Sequence, residues 1–122
     1  MGPGKVLSLV IIRNSSGLNS FWPEFQVMYE NGENLLYSKK MMGSTTSNYY
    51  ITAEPGIESI SHPSFIAKLR SNFSGSLYHV FDNGVNPEKA NKINKARSIK
   101  ATIKFKSQIM TMEPRSFEVF VL

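Results

Sequence analysis

The sequence predicts a mainly β domain, built as an antiparallel sheet with little helix. Three observations carry this expectation. Short apolar runs of strand length recur along the chain, bounded by Gly, Pro, Ser or Asn. An Asn-Gly dipeptide sits between two of them, the strongest short-range hairpin signal. Sustained helical periodicity is absent, apart from a weak trace over residues 88–97. At 122 residues the chain makes one domain or part of one. Its 41% hydrophobic and 11% aromatic content suits a modest core and argues against disorder.

Eight strands follow in order. Residues 6–12 form a buried-type run, too short to cross a bilayer as a helix. Residues 25–29 and 34–37 flank Glu30-Asn31-Gly32-Glu33 and read as a hairpin. Residues 48–52, 65–72 and 77–81 give three more strands. Residues 99–103 continue as Lys104-Phe105-Lys106, an alternating segment with one wet face. Residues 117–122, Phe-Glu-Val-Phe-Val-Leu, make an eighth. That strand leaves an edge or a core face uncovered unless something pairs with it. Over residues 88–97 a helix and a short turn or loop are equally good readings.

Composition narrows the function classes. With no cysteine there is no disulfide framework and no thiolate metal site. No secretory signal or membrane-spanning run is read, so an intracellular location is expected and the sequons at Asn14 and Asn72 read as incidental. His62 and His79 lack metal-ligand spacing and read as structural. Glu54 and Glu58 lie in a Pro-Gly loop without the look of a catalytic pair, and Gly2-Pro3-Gly4 lacks the Lys-Ser/Thr of a P-loop. No cofactor and no catalysis are expected.

The net charge of +5 is unevenly placed. Residues 1–88 and 107–122 each balance to −1. Residues 89–106 hold seven basic side chains, among them Lys89, Arg97, Lys100, Lys104 and Lys106, and no acid. Such a block attracts anionic membranes or nucleic acid, or forms a solvated face.

Lys68 and Arg70 form a second cationic feature. In a strand, residues i and i+2 point to one face about 7 Å apart. Ile66, Lys68, Arg70 and Asn72 therefore share a face, and Ala67, Leu69 and Phe73 are expected in the core. Two cations so spaced can each take one phosphate of a ring phosphorylated at neighbouring positions, arginine as a fork and lysine as a mobile point charge. Each such bond contributes roughly 1.5–3 kcal/mol. The wet face of an amphipathic strand has the same pattern.

Three strings in this order resemble the carboxy-terminal domain of tubby-like proteins: Thr46-Ser47-Asn48-Tyr49-Tyr50-Ile51, Lys68-Leu69-Arg70-Ser71-Asn72 and Asp82-Asn83-Gly84-Val85-Asn86-Pro87. The resemblance runs from about residue 6 to the last, strongest between Thr46 and Pro87. It implies a partial or reduced tubby-like barrel and non-enzymatic binding of phosphatidylinositol 4,5-bisphosphate. By the same resemblance Lys68, Arg70, Asn48 and Arg115 are the phosphoinositide-binding residues. Lys39, Lys40, Lys100, Lys104 and Lys106 are an auxiliary basic surface. The third string reads as a turn in which Asn-Gly accepts positive φ and Pro87 stops the strand.

Departures from the family are expected to matter. The dense basic run before Ser-Asn-Tyr is thinned here to Lys39-Lys40 and followed by Met41-Met42. Glu113 stands where the family has glycine beside the arginine equivalent to Arg115. The family domain is also about twice this length. The chain then reads as a truncated domain, as a compact barrel closed by its own strands, or as a half that completes itself by self-association through open strand edges. The expected partner is an anionic membrane lipid at the inner face of the plasma membrane, from the cytoplasm. The alternatives are nucleic acid, with Tyr49, Tyr50 and Phe105 as candidate stacking residues, and a truncated domain that has lost binding. Nuclear or ciliary placement enters only through the resemblance.

Overall fold

The computed structural model describes residues 3–17, 22–43, 45–91, 95–106 and 116–122. Eight strands run in sequence order as one antiparallel meander: β1 (Leu9–Asn14), β2 (Glu24–Tyr29), β3 (Asn34–Lys40), β4 (Asn48–Thr52), β5 (Phe65–Ser71), β6 (Leu77–Phe81), β7 (Ile99–Phe105) and β8 (Phe117–Val121). All eight predicted strands are present. The sheet does not close, so the compact barrel sealed by its own strands is not adopted. β1 and β8 are the two edges.

Local chemistry explains the elements. β-branched and aromatic residues fill the strands and suit a pleated, half-buried surface. At the predicted hairpin, Gly32 takes φ +90° and its amide donates to the Tyr29 carbonyl at 3.0 Å. The Asn31 side chain accepts from the Glu33 amide at 2.9 Å. Such a turn requires a residue that tolerates positive φ.

The register sorts the side chains onto two faces, because residues directly opposite in an antiparallel pair point the same way. On one face Phe25, Ser38, Ile51 and Ala67 form a row, and Tyr49, Leu69, Val80 and Ala101 form the next. Ring contacts knit this face together: Phe25–Tyr49 at 6.2 Å, Tyr78–Phe105 at 5.6 Å and Phe105–Phe117 at 5.4 Å between centroids. Burial, reinforced by Tyr78 and opposed by Arg13, pushes the Tyr49 phenol above its ordinary pKa. The other face carries the row Asn48, Arg70, His79, Thr102 and the row Lys39, Tyr50, Lys68, Phe81. A single sheet buries little. Among the described residues only Pro23, Thr52 and Phe65, the last edge-on to Tyr50 at 5.1 Å, are buried.

Several sequence expectations are corrected in this fold. Residues 6–12 are not a buried run: β1 is an edge strand and is exposed along its whole length. Phe73 is not a core residue but 89% exposed, because β5 ends at Ser71 and Asn72 opens a tight turn. Of the two readings left open for residues 88–97, the short turn holds and the helix does not, where these residues are described. A single 3-10 turn, Pro87–Lys89, is capped by the Asn86 side chain accepting from the Glu88 amide, and the chain is extended again at Ala90. Ala96 pairs with Val85 in an isolated parallel bridge.

The described residues of the β6–β7 connection fold over the polar face and are pinned by Asp82. One carboxylate oxygen accepts from the Gly84 and Ser98 amides, each at 3.0 Å, and the other from the Ser98 hydroxyl at 2.6 Å. The Arg97 amide donates to the Val85 carbonyl at 2.8 Å, and the Val85 amide to Lys95 at 3.0 Å. Gly84 matters here through proximity, not through positive φ as expected from sequence. A Cβ on Gly84 would lie 2.5 Å from the Arg97 backbone nitrogen and Cα. Backbone atoms cannot yield as a flexible side chain can, so Gly84→Ala should force the two segments apart. The expected cost is about 1–3 kcal/mol, in the range of overpacking. Urea unfolding checks it, and an unchanged midpoint would contradict the close approach.

Candidate anion-binding site

The site begins with the alternation of β5. Lys68 and Arg70 project from the polar face, Lys68 between Tyr50 of β4 and Phe81 of β6, Arg70 between Asn48 and His79. The Lys68 ammonium lies 5.8 Å from the Tyr50 ring centroid, a cation–π geometry that steadies a long side chain. An Arg70 guanidinium nitrogen donates to the Thr46 hydroxyl at 3.3 Å. His79 Nδ1 sits 3.0 Å from the Thr102 hydroxyl and its ring meets Phe81 edge-on, a packed and hydrogen-bonded residue. His62 Nδ1 accepts from the Ser64 amide within a turn. Among the described residues no cluster of His, Cys, Asp or Glu has the makings of a metal site.

The pinned β6–β7 segment adds two more cations. Arg97 places its guanidinium 4.1 Å from the Phe81 ring centroid. Lys89 ends the 3-10 turn, its amide donating to the Asn86 carbonyl at 2.8 Å. Lys68, Arg70, Lys89 and Arg97 together line a recess of about 340 Å³, completed by Ile60 and the Gly84–Asn86 stretch. Among the described residues four cations and no carboxylate line it. Burial, then Arg97, then Arg70 pull the Lys68 pKa below the ordinary lysine value of 10.5. Asp82, just outside, keeps its charge for a different reason. The Ser98 hydroxyl, with the Gly84 and Ser98 amides and Lys100, holds its carboxyl below the usual value against the opposing effect of burial.

Of the sequence-predicted residues, Lys68, Arg70 and Asn48 are brought together. Asn48 faces Arg70 across the β4–β5 ladder, and its Oδ1 is buried with no hydrogen-bond partner among the described residues. Arg115 and its neighbour Glu113 lie outside the described residues. The auxiliary lysines are dispersed. Lys39 pairs with Glu58 at 2.9 Å and Glu24 at 3.9 Å, Lys100 lies 4.0 Å from Asp82, and Lys106 lies 3.9 Å from Glu118. Lys104 is exposed opposite Leu77 and Glu118. Lys40 lies beside Met41 and Met42. Lys89 and Arg97 were legible only as members of a basic block, because the contact that places Arg97 beside the strand cations joins residues sixteen apart, Asp82 and Ser98.

A cluster of like charges weakens the fold that holds it. Because the folded state lowers the Lys68 pKa, this penalty is fully present below that lowered value. It is relieved as pH rises from there toward 10.5. Lys68→Gln should therefore raise the thermal midpoint at pH 7, with the gain shrinking near pH 10. Differential scanning fluorimetry at the two pH values checks this, and a lower midpoint for the variant at pH 7 would contradict it.

Comparison with known proteins places the chain. The Tub family matches residues 2–122. Tubby-related protein 3 of mouse (Mus musculus) is 32% identical over 127 residues, covering 97% of this chain and 28% of its own length. Tubby-related protein 2 of mouse is 36% identical over 85 residues, 66% of this chain and 15% of its own length. Human (Homo sapiens) Tubby-related protein 1 is 29% identical over 124 residues, 97% of this chain and 23% of its own length. The chain spans less than a third of the length of these relatives. With a family match running from residue 2 to the last residue, the chain belongs to the Tub family.

Proposed function

We propose that this chain is a non-enzymatic phosphoinositide-binding module that associates with anionic membranes. The observation that carries the reading is the acid-free recess in which Lys68, Arg70, Lys89 and Arg97 converge. Each phosphomonoester on an inositol ring carries more than one negative charge, so paired cations on a fixed strand suit it. Arg70 and Arg97 offer planar forks for phosphate oxygens, and Lys68 and Lys89 offer mobile ammonium groups. Asn48, beside Arg70, and Arg115 complete the set by family resemblance. Lys39, Lys40, Lys100, Lys104 and Lys106 add diffuse attraction to an anionic leaflet, weakened where a carboxylate already pairs with them. The inner face of the plasma membrane is the corresponding location.

Nucleic acid would use the same phosphate contacts. The aromatics it needs as stacking platforms are engaged in packing, Tyr49 with Phe25, Tyr50 with Phe65, and Phe105 with Tyr78 and Phe117. The lipid reading is therefore preferred.

Liposome co-sedimentation tests it, with phosphatidylinositol 4,5-bisphosphate and phosphatidylserine compared at matched total charge. The expected result is preference for the bisphosphate. Lys68→Ala/Arg70→Ala should abolish that preference, and Arg97→Ala alone should weaken it roughly 10-fold or more, the equivalent of one charge-assisted bond. Equal sedimentation with both lipids, unchanged by the substitutions, would sink the reading.

A further inference from the structure

Exposed apolar residues on β1 and β8, such as Ile11 and Val121, follow from their place on unpaired sheet edges. Phe73 has no such explanation. It lies in the connection between β5 and β6, two interior strands, and is 89% exposed. Its turn is closed by several hydrogen bonds. The Asn72 amide donates to the Leu77 carbonyl, and Gly75 donates to the Asn72 carbonyl from φ +70°. The Asn72 side-chain oxygen accepts from the Ser76 and Leu77 amides at 3.0 and 3.2 Å, and its nitrogen donates to the Ser76 hydroxyl at 3.0 Å. The turn is thus held in a fixed form that leaves the ring in water.

This turn is coupled to the basic site. Phe73 follows Arg70 by three residues. The Ser71 amide donates to the Ser47 carbonyl at 3.0 Å, and the Ser47 amide donates to the Ser71 hydroxyl at 3.0 Å. These bonds lash the end of β5 to the start of β4. Because the strands alternate in direction, the β3–β4 and β5–β6 connections lie at the same end of the sheet. Met42, in the former, is also largely exposed. Arg70 itself reaches Thr46 at that end.

We propose that Phe73, with Met42 at the same end of the sheet, inserts into the apolar layer of a membrane whose anionic head groups the recess engages. This inference rests on the lipid-binding reading above. An aromatic ring fixed in water three residues beyond Arg70, the recess cation nearest that end of the sheet, suits a surface that offers hydrocarbon and phosphate together, and a bilayer is such a surface. Burying one phenylalanine side chain corresponds to about a tenfold gain in vesicle affinity or more. A soluble head group offers no hydrocarbon and would gain nothing.

The absence of cysteine allows a clean probe. Phe73→Cys, labelled with an environment-sensitive fluorophore, is mixed with vesicles containing phosphatidylinositol 4,5-bisphosphate. Glu30→Cys, in the hairpin at the opposite end of the sheet, serves as the control. The expected result is a blue shift and quenching by bromine-bearing acyl chains at position 73 only, lost when Lys68→Ala/Arg70→Ala is added. In parallel, Phe73→Ala should weaken vesicle binding about tenfold while leaving affinity for soluble inositol 1,4,5-trisphosphate within about twofold. A probe that stays in water on bound vesicles overturns the insertion alone. A shift produced by protein concentration without vesicles means a second copy covers Phe73, and also overturns it. Failure of both vesicle and soluble head-group binding overturns the insertion together with the reading it rests on.

Discussion

The Asp82 carboxylate is the contact on which the site depends. A meander of eight strands can place Lys68 and Arg70 on one face by alternation alone. It cannot by itself bring residues from the long β6–β7 connection onto that face. Asp82 does so by accepting from Gly84 and from both the amide and the hydroxyl of Ser98. That closes the connection on itself and lays Arg97 over the Phe81 ring. Gly84 permits the approach by having no side chain to resist it. The anchoring is electrostatic but local: the carboxylate is spent on backbone amides and a hydroxyl, and it stays outside the lining of the recess. A carboxylate aimed inward would have neutralised the cations it serves to assemble.

The arrangement carries an internal tension. Cations drawn together without acids oppose folding, and the lowered Lys68 pKa registers that opposition. Only thin burial offsets it, since a single open sheet leaves most apolar side chains half-exposed. Ring contacts along the apolar face and the cation–π contacts of Lys68 and Arg97 supply part of the compensation. A polyanion in the recess would relieve the repulsion, so ligand binding and stability are linked at this site.

The strands were readable from sequence because their information is local. Short apolar runs bounded by turn residues mark each one, and Asn31-Gly32 marks a hairpin whose geometry needs positive φ. The pairing of Lys68 with Arg70 was readable for the same reason. Errors arose where non-local contacts decide. Alternation carried β5 on to Phe73, but the Asn72 side chain captures the Ser76 and Leu77 amides and turns the chain first. Gly84 invited a dihedral explanation, whereas the structure requires it for its proximity to Arg97. Lys89 and Arg97 were legible only as part of a run of basic residues, because nothing in the run says which of its cations Asp82 and the Asn86 cap will deliver to the strand.

The most direct test is an NMR titration of the isotopically labelled chain with inositol 1,4,5-trisphosphate, repeated on Asp82→Ala. If Asp82 assembles the site, the wild-type chain will show saturable shifts grouped on residues 68–70, 84–89 and 97. The variant will lose that group of shifts while its strand resonances remain dispersed. Shifts centred on Lys39, Lys40 or residues 100–106, or a grouping that survives the loss of the carboxylate, would contradict the account.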